Sequence, residues 1–185
     1  MKINHDKFIS ACGGDKLKQD QKDGLLALIG FIEADTDITD IRWTAYMLAT
    51  VNRECAGTWQ PITEYGKGKG RPYGLLDAKT GFVYYGRGYV QLTWAKNYQS
   101  IGEKLGVDLY LNPQLALQPD IAYKIMSFGM RHGSFTGVGL AKYINDQVCD
   151  YINARRIING IDSAAEIAKA AEWFEGVLKD CEVKT

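Results

Sequence analysis

The stretch "NRECAGTWQPITEYG", residues 52–66, is where the chain changes character. On its N-terminal side, residues 39–56 carry Ile41, Ala45, Leu48 and Ala49 at helical spacing, and Gly57 is a fitting stop. Before that, "DTD" supplies capping side chains, and residues 16–35 place Leu25, Leu28, Ile29 and Ile32 on one face of an earlier helix. On its C-terminal side, residues 57–93 hold eight glycines, two of the four prolines and short β-favouring runs. There "PYGLL" and "FVYYG" flank "DAKTG", a pattern that predicts a hairpin with a five-residue connection. Helical spacing returns at 95–105, 118–132, 139–156 and 162–180, broken by "LNP" and "NGID". The expected class is α+β, mainly α-helical, with a small antiparallel β-hairpin or sheet excursion around residues 57–93.

At 185 residues the chain suits one domain with a real core, spanning 1–185, and no separate binding module is expected. Twenty-two basic and 22 acidic residues balance to zero, which argues against a nucleic-acid partner. The cysteines Cys12, Cys55, Cys149 and Cys181 have no Cys-x-x-Cys spacing, and only His5 and His132 could join them, so no metal site and no cofactor is expected. Dispersed thiols fit a reducing cytosol. The start "MKINHDKFISACGG" has no apolar core of a secretory signal, and no run is long enough to cross a bilayer, so no stable membrane insertion is expected.

Residues 57–93 are also where function is expected, because backbone this rich in glycine is costly to order. Tyr65, Tyr73, Tyr84, Tyr85, Tyr89, Trp59 and Trp94 lie in or beside it, mixed with Gln60, Gln91, Thr63, Thr93 and Asn97. Aromatic faces with neutral hydrogen-bonding groups suit a carbohydrate, whose C–H faces stack and whose hydroxyls need donors and acceptors. Any one of these rings taken singly is better explained by core or hairpin packing, but the set together is not.

Two carboxylates bracket the opening stretch. Glu54 falls at the C-terminal end of a helix, where the dipole and burial both disfavour negative charge, with Arg53 as the opposing influence. A carboxyl held neutral in this way suits a general acid. Glu64, in a polar loop with Lys67 and Lys69 near in sequence, is expected to stay ionised and to act as base. Asp77, in the "DAKTG" turn, is accounted for by turn chemistry.

"YYGRGYVQLTWAKNY", residues 84–98, resembles the signature of glycoside hydrolase family 19, the chitinases and their phage endolysin relatives. Further pieces agree in order: "RWTAYMLATVNRE" with the helix of the catalytic glutamate, "NPQLALQPDIAYKI" with the next helix, and "ARRIING" with a late Ile-Ile-Asn-Gly segment. The resemblance spans about residues 20–175 and implies a lysozyme-like bilobal helical domain. It implies Glu54 as general acid, Gln91, Thr93 and Asn97 as holders of water and sugar, and Asn159 as a cleft asparagine; Thr93 replaces the serine common in plant enzymes. Tyr85 and Arg87 are implied to shape the site. The sequence departs from the family at Arg53, where many members have histidine, and in the short spacing to Glu64. The base is therefore Glu64, or else Gln60 and Thr63 position water for Glu54 alone.

The family implies an inverting reaction on a β-1,4 N-acetylhexosamine polymer, either peptidoglycan or chitin, without a covalent intermediate. Small size and the absence of a plant-type cysteine framework point to a monomeric endolysin. Such an enzyme is made in the host bacterial cytoplasm and reaches the periplasmic cell wall once a holin opens the membrane. A chitinase and a catalytically silent glycan binder are the competing readings. The loop "GKGKGR", residues 66–71, lacks the serine or threonine of a phosphate-binding loop and reads as a solvated turn or a contact with anionic cell-wall or membrane phosphate.

Overall fold

The computed structural model describes residues 1–183 and is mainly helical, with one two-stranded antiparallel sheet among those residues. The helices are α1 (His5–Ala11), α2 (Gln19–Ala34), α3 (Ile41–Glu54), α4 (Ala95–Leu105), α5 (Pro119–His132), α6 (Tyr151–Ala154) and α7 (Ala164–Cys181). The strands are β1 (Ile62–Thr63) and β2 (Arg87–Gly88), paired Ile62 with Gly88 and Thr63 with Arg87.

The α3 helix is the axis of the molecule. Its start is fixed by Asp40, whose carboxylate accepts from the Arg42 N–H at 2.8 Å and forms an ion pair with the Arg42 side chain. From Thr44 to Val51 every residue is buried, so this helix is covered on all sides rather than along the one stripe its spacing suggested. It packs most extensively against α7, which brings Ile167, Ala171, Phe174 and Leu178 into the core. Leu25, Leu28, Ile29 and Ile32 of α2 are buried as their periodicity required. Helix α3 ends at Glu54, and Gly57, at φ +69°, closes the end by donating its N–H to the Asn52 carbonyl at 2.9 Å.

Two expectations fail for identifiable reasons. No strands flank the "DAKTG" turn. Asp77 nucleates that turn by accepting from the Lys79 and Thr80 N–H groups, each at 3.0 Å, but Pro72–Gly74 is a 3-10 turn and Leu75 and Leu76 lie exposed. The Val83 and Tyr85 carbonyls accept from the buried Arg87 guanidinium at 3.2 Å, so a side chain, not a partner strand, satisfies them. The helix expected over 139–156 is a 3-10 turn at Leu140–Lys142, a bridge from Ile144 to Cys149, and the short α6. Asn145 takes the Gln147 and Val148 N–H groups onto its own side chain, and Asp150 caps α6 through the Asn153 N–H. Both residues compete with helix for the backbone.

Candidate active site

Glu54 is the last residue of α3, so the catalytic candidate stands where a helix ends against irregular chain. Its side chain is only 17% exposed, and its Oε1 accepts from Arg155 Nη1 at 2.6 Å; Arg155 is itself buried and also donates from Nε to the Asp162 carbonyl at 3.0 Å. The negative end of α3 therefore does not act alone on this carboxyl. Sequence reading named Arg53 as the nearby cation, and that assignment is corrected: Arg53 turns outward to the Ser163 hydroxyl at 2.7 Å and to Glu166. Arg155 lies in the 3-10 turn Arg155–Ile157, a hundred residues away along the chain, where no local spacing could connect it to Glu54.

Glu64 follows β1 and is held at both oxygens. The Tyr73 hydroxyl donates to Oε1 at 2.9 Å, and the Gly86 N–H donates to Oε2 at 2.9 Å. Burial first, and then the carboxylate it serves, push the Tyr73 phenol above its ordinary value, so it stays a donor. Gly86 is a buried junction between Glu64 and Gln91. A Cβ there would lie 3.2 Å from the Glu64 Cβ and 2.7 Å from the Gln91 Oε1, so any larger residue would press on both side chains.

Gln91 and Trp94 open onto a cavity of about 690 Å³ that neither Glu54 nor Glu64 lines. Gln91, Thr93, Asn97 and Asn159, four positions singled out from sequence, all line it. Gln91 donates from Nε2 to the Ile62 and Gly88 carbonyls, both at 3.1 Å, which ties it to both strands. The Asn159 N–H donates to the Arg155 carbonyl at 3.0 Å, so the residue paired with Glu54 and a cleft asparagine share one turn. Gln91 and Trp94 have φ of +53° and +70°, strained values for residues with a side chain, and they bracket Thr93. Trp94, half-exposed in the cavity wall, packs edge-on against Tyr73 with centroids 5.6 Å apart. It links the Glu64 cluster to the cavity and offers an aromatic face to a sugar.

The other sequence candidates sit elsewhere. Gln60 donates its amide to the Asp20 carbonyl at 2.9 Å and packs on Gly24 of α2, so its side chain is committed to the scaffold. Thr63 is half-buried in the sheet opposite Arg87. Arg87 is 3% exposed; its guanidinium stacks 3.6 Å over the Tyr85 ring and donates to the Tyr98 hydroxyl at 3.0 Å. It holds the 83–87 loop from within, a place from which it shapes the site without touching a ligand. Tyr85 serves as the platform for that guanidinium. The residues sequence reading missed are Arg155 and the cavity-lining Lys142, Tyr143 and Arg156, whereas Tyr73 and Trp94 stood among the aromatics it named. Of these, Arg155 and Arg156 stood inside the quoted "ARRIING" segment, which was the available signal.

No group of three or more His, Cys, Asp or Glu side chains gathers into a metal-binding cluster among the described residues. The four cysteines are free.

Residues 30–134 match the family model for glycoside hydrolase family 19, chitinase class I. Endochitinase 1 of Theobroma cacao is 51% identical over 45 residues, covering 24% of this chain and 14% of that protein. An endochitinase of Avena sativa is 37% identical over 84 residues, covering 44% of this chain and 38% of its relative. The chain thus matches well under half the length of these curated relatives. The fold is shared with the crystal structure of chitinase C from Streptomyces griseus HUT6037, at a TM-score of 0.61 and 21% identity, over 96% of this chain and 92% of the other. With more than half of its residues matched by the family model, the chain belongs to glycoside hydrolase family 19, chitinase class I.

Proposed function

We propose that the chain hydrolyses β-1,4 bonds between N-acetylhexosamines by an inverting acid–base mechanism, and that its polymer is bacterial peptidoglycan. In its protonated form Glu54 gives its proton to the departing glycosidic oxygen and is left as the carboxylate that Arg155 pairs with, while Glu64 takes a proton from water attacking the opposite face of the sugar. Gln91, Thr93, Asn97 and Asn159 hold the sugar hydroxyls and N-acetyl groups, and Trp94 stacks on a ring face. The acids and a held water suffice, so no metal or organic cofactor is required. The observation that carries this reading is the convergence of four neutral polar side chains on one cavity, to which Glu54 is joined through the turn that holds Arg155 and Asn159, and Glu64 through Gly86 beside Gln91.

In this reading the enzyme is a monomeric endolysin, made in the host cytoplasm and admitted to the periplasmic wall through a holin-opened membrane. Free thiols suit that origin. The second reading, a chitinase, is favoured by the names of the curated relatives. Mass spectrometry of products from purified peptidoglycan and from chitin oligomers tests both. Saccharide fragments from peptidoglycan, released first as the inverted anomer by NMR, are expected. Cleavage of chitin alone would favour the chitinase, and peptide-bond products would overturn both.

A further inference from the structure

We infer that Lys142 and Arg156 form a subsite for carboxylates carried on the peptide branches of the glycan, so that the cleft selects a charged, peptide-bearing strand over a neutral one. This rests on the proposed hydrolase reading and adds the basis of its substrate choice.

The observation is a segregation of charge. The chain is neutral as a whole, yet the 690 Å³ cavity is lined by these two cations and by no aspartate or glutamate. Lys142 comes from the 3-10 turn Leu140–Lys142 and Arg156 from the turn Arg155–Ile157, so two separate elements bring like charges to one wall. Two cations on a cavity with no acid among its lining give that cavity a positive potential, which favours an anionic ligand.

Neither residue forms an ion pair among the described residues. Both side chains are exposed. Arg156 uses Nε on the Asn153 Oδ1 at 3.2 Å, and its two terminal nitrogens have no partner among those residues. Its backbone is nevertheless fixed, because the Thr136 hydroxyl donates to the Arg156 carbonyl at 2.7 Å. Lys142 keeps its ammonium 5.6 Å from the Tyr143 ring centroid. A guanidinium tethered through Nε and a second cation on the same cavity match a branch bearing more than one carboxylate.

A neutral polymer of N-acetylglucosamine gives such cations nothing to bind; its hydroxyls and amides are served by Gln91, Thr93, Asn97 and Asn159. The stem peptides of peptidoglycan carry free carboxylates at regular intervals along the strand. The two cations are therefore specificity-determining positions rather than reacting groups.

The test compares wild type with the double variant Lys142→Gln/Arg156→Gln on a glycan fragment bearing stem peptides and on N-acetylglucosamine oligomers. Circular dichroism first establishes that both proteins are folded. The ratio of kcat/KM, charged over neutral substrate, is expected to fall about five-fold in the variant, mostly through KM, as for two solvent-exposed charge pairs. Added salt should lower that ratio in wild type and leave the variant's ratio flat. An unchanged ratio, or equal losses on both substrates, overturns the inference. If wild type cleaves neither substrate, the hydrolase reading fails, and equilibrium titration with a soluble disaccharide-peptide and with chitobiose decides the subsite separately. Preference for the charged ligand, lost in the variant, upholds it; equal binding of both ligands overturns it.

Discussion

Replacing Arg155 with methionine isolates the contact on which the candidate acid depends. The Arg155 and Glu54 side chains are 5% and 17% exposed, so water replaces little of what the guanidinium supplies. Removing one partner from a buried pair costs about 3–5 kcal/mol, because the remaining charge is stranded. The partial exposure of Glu54 places this case at about 3 kcal/mol, which includes about 1 kcal/mol for the lost bond to the Asp162 carbonyl. Urea denaturation with an unchanged m-value would read this as a lower midpoint. Adding Glu54→Gln to the Arg155→Met protein should restore part of the loss, giving a coupling of about 2 kcal/mol in the double-mutant cycle. An Arg155→Met protein within about 0.5 kcal/mol of wild type, with no coupling, would refute the reasoning, since it would mean the pair stabilises nothing.

Other substitutions probe the rest of the account. Tyr73→Phe leaves one Glu64 oxygen without its donor, and activity should fall about ten-fold with the fold intact by circular dichroism. Burial pushes the Asp35 carboxyl up, but hydrogen bonds from Ser127 at 2.6 Å and Tyr123 at 2.8 Å, the Asp37 N–H and the Arg131 charge outweigh it and hold the carboxyl below the ordinary range. Because its folded value is depressed, its stabilisation is present above the ordinary aspartate value near ~4 and is lost as pH falls through the folded one. Asp35→Asn should therefore destabilise the protein at neutral pH and progressively less in acid, read by denaturation at several pH values. Burial pushes the Cys55 thiol up to about 12, so a thiol reagent should reach exposed Cys149 in the native protein and Cys55 only on unfolding; rapid native labelling of Cys55 would contradict its burial.

The helices were legible where periodicity and stop signals agreed. Helix α4 occupies the expected 95–105, closed by left-handed Gly106, and α5 ends on left-handed Gly133. Over 139–156 the same periodicity misled, because Asn145 and Asp150 draw backbone N–H groups onto their side chains. The hairpin failed for a related reason: a buried arginine, Arg87, satisfies the carbonyls that a ladder would have used. For the site, the motif at 84–98 located Gln91, Thr93 and Asn97 because they lie within a few residues of one another. Arg155 was not found, since its partner is 101 positions away and only the closure of α7 on α3 brings the two ends together. Gln60 was over-read: an amide in a polar loop looks available until α2 is seen against it.

The most direct measurement is turnover of a defined glycan fragment by folded Glu54→Gln protein. Loss of at least about a hundred-fold in kcat, with the fragment still bound, is the outcome expected if this carboxyl donates the proton. A glutamine variant that cleaves at the wild-type rate would remove Glu54, and the mechanism built around it, from the enzyme.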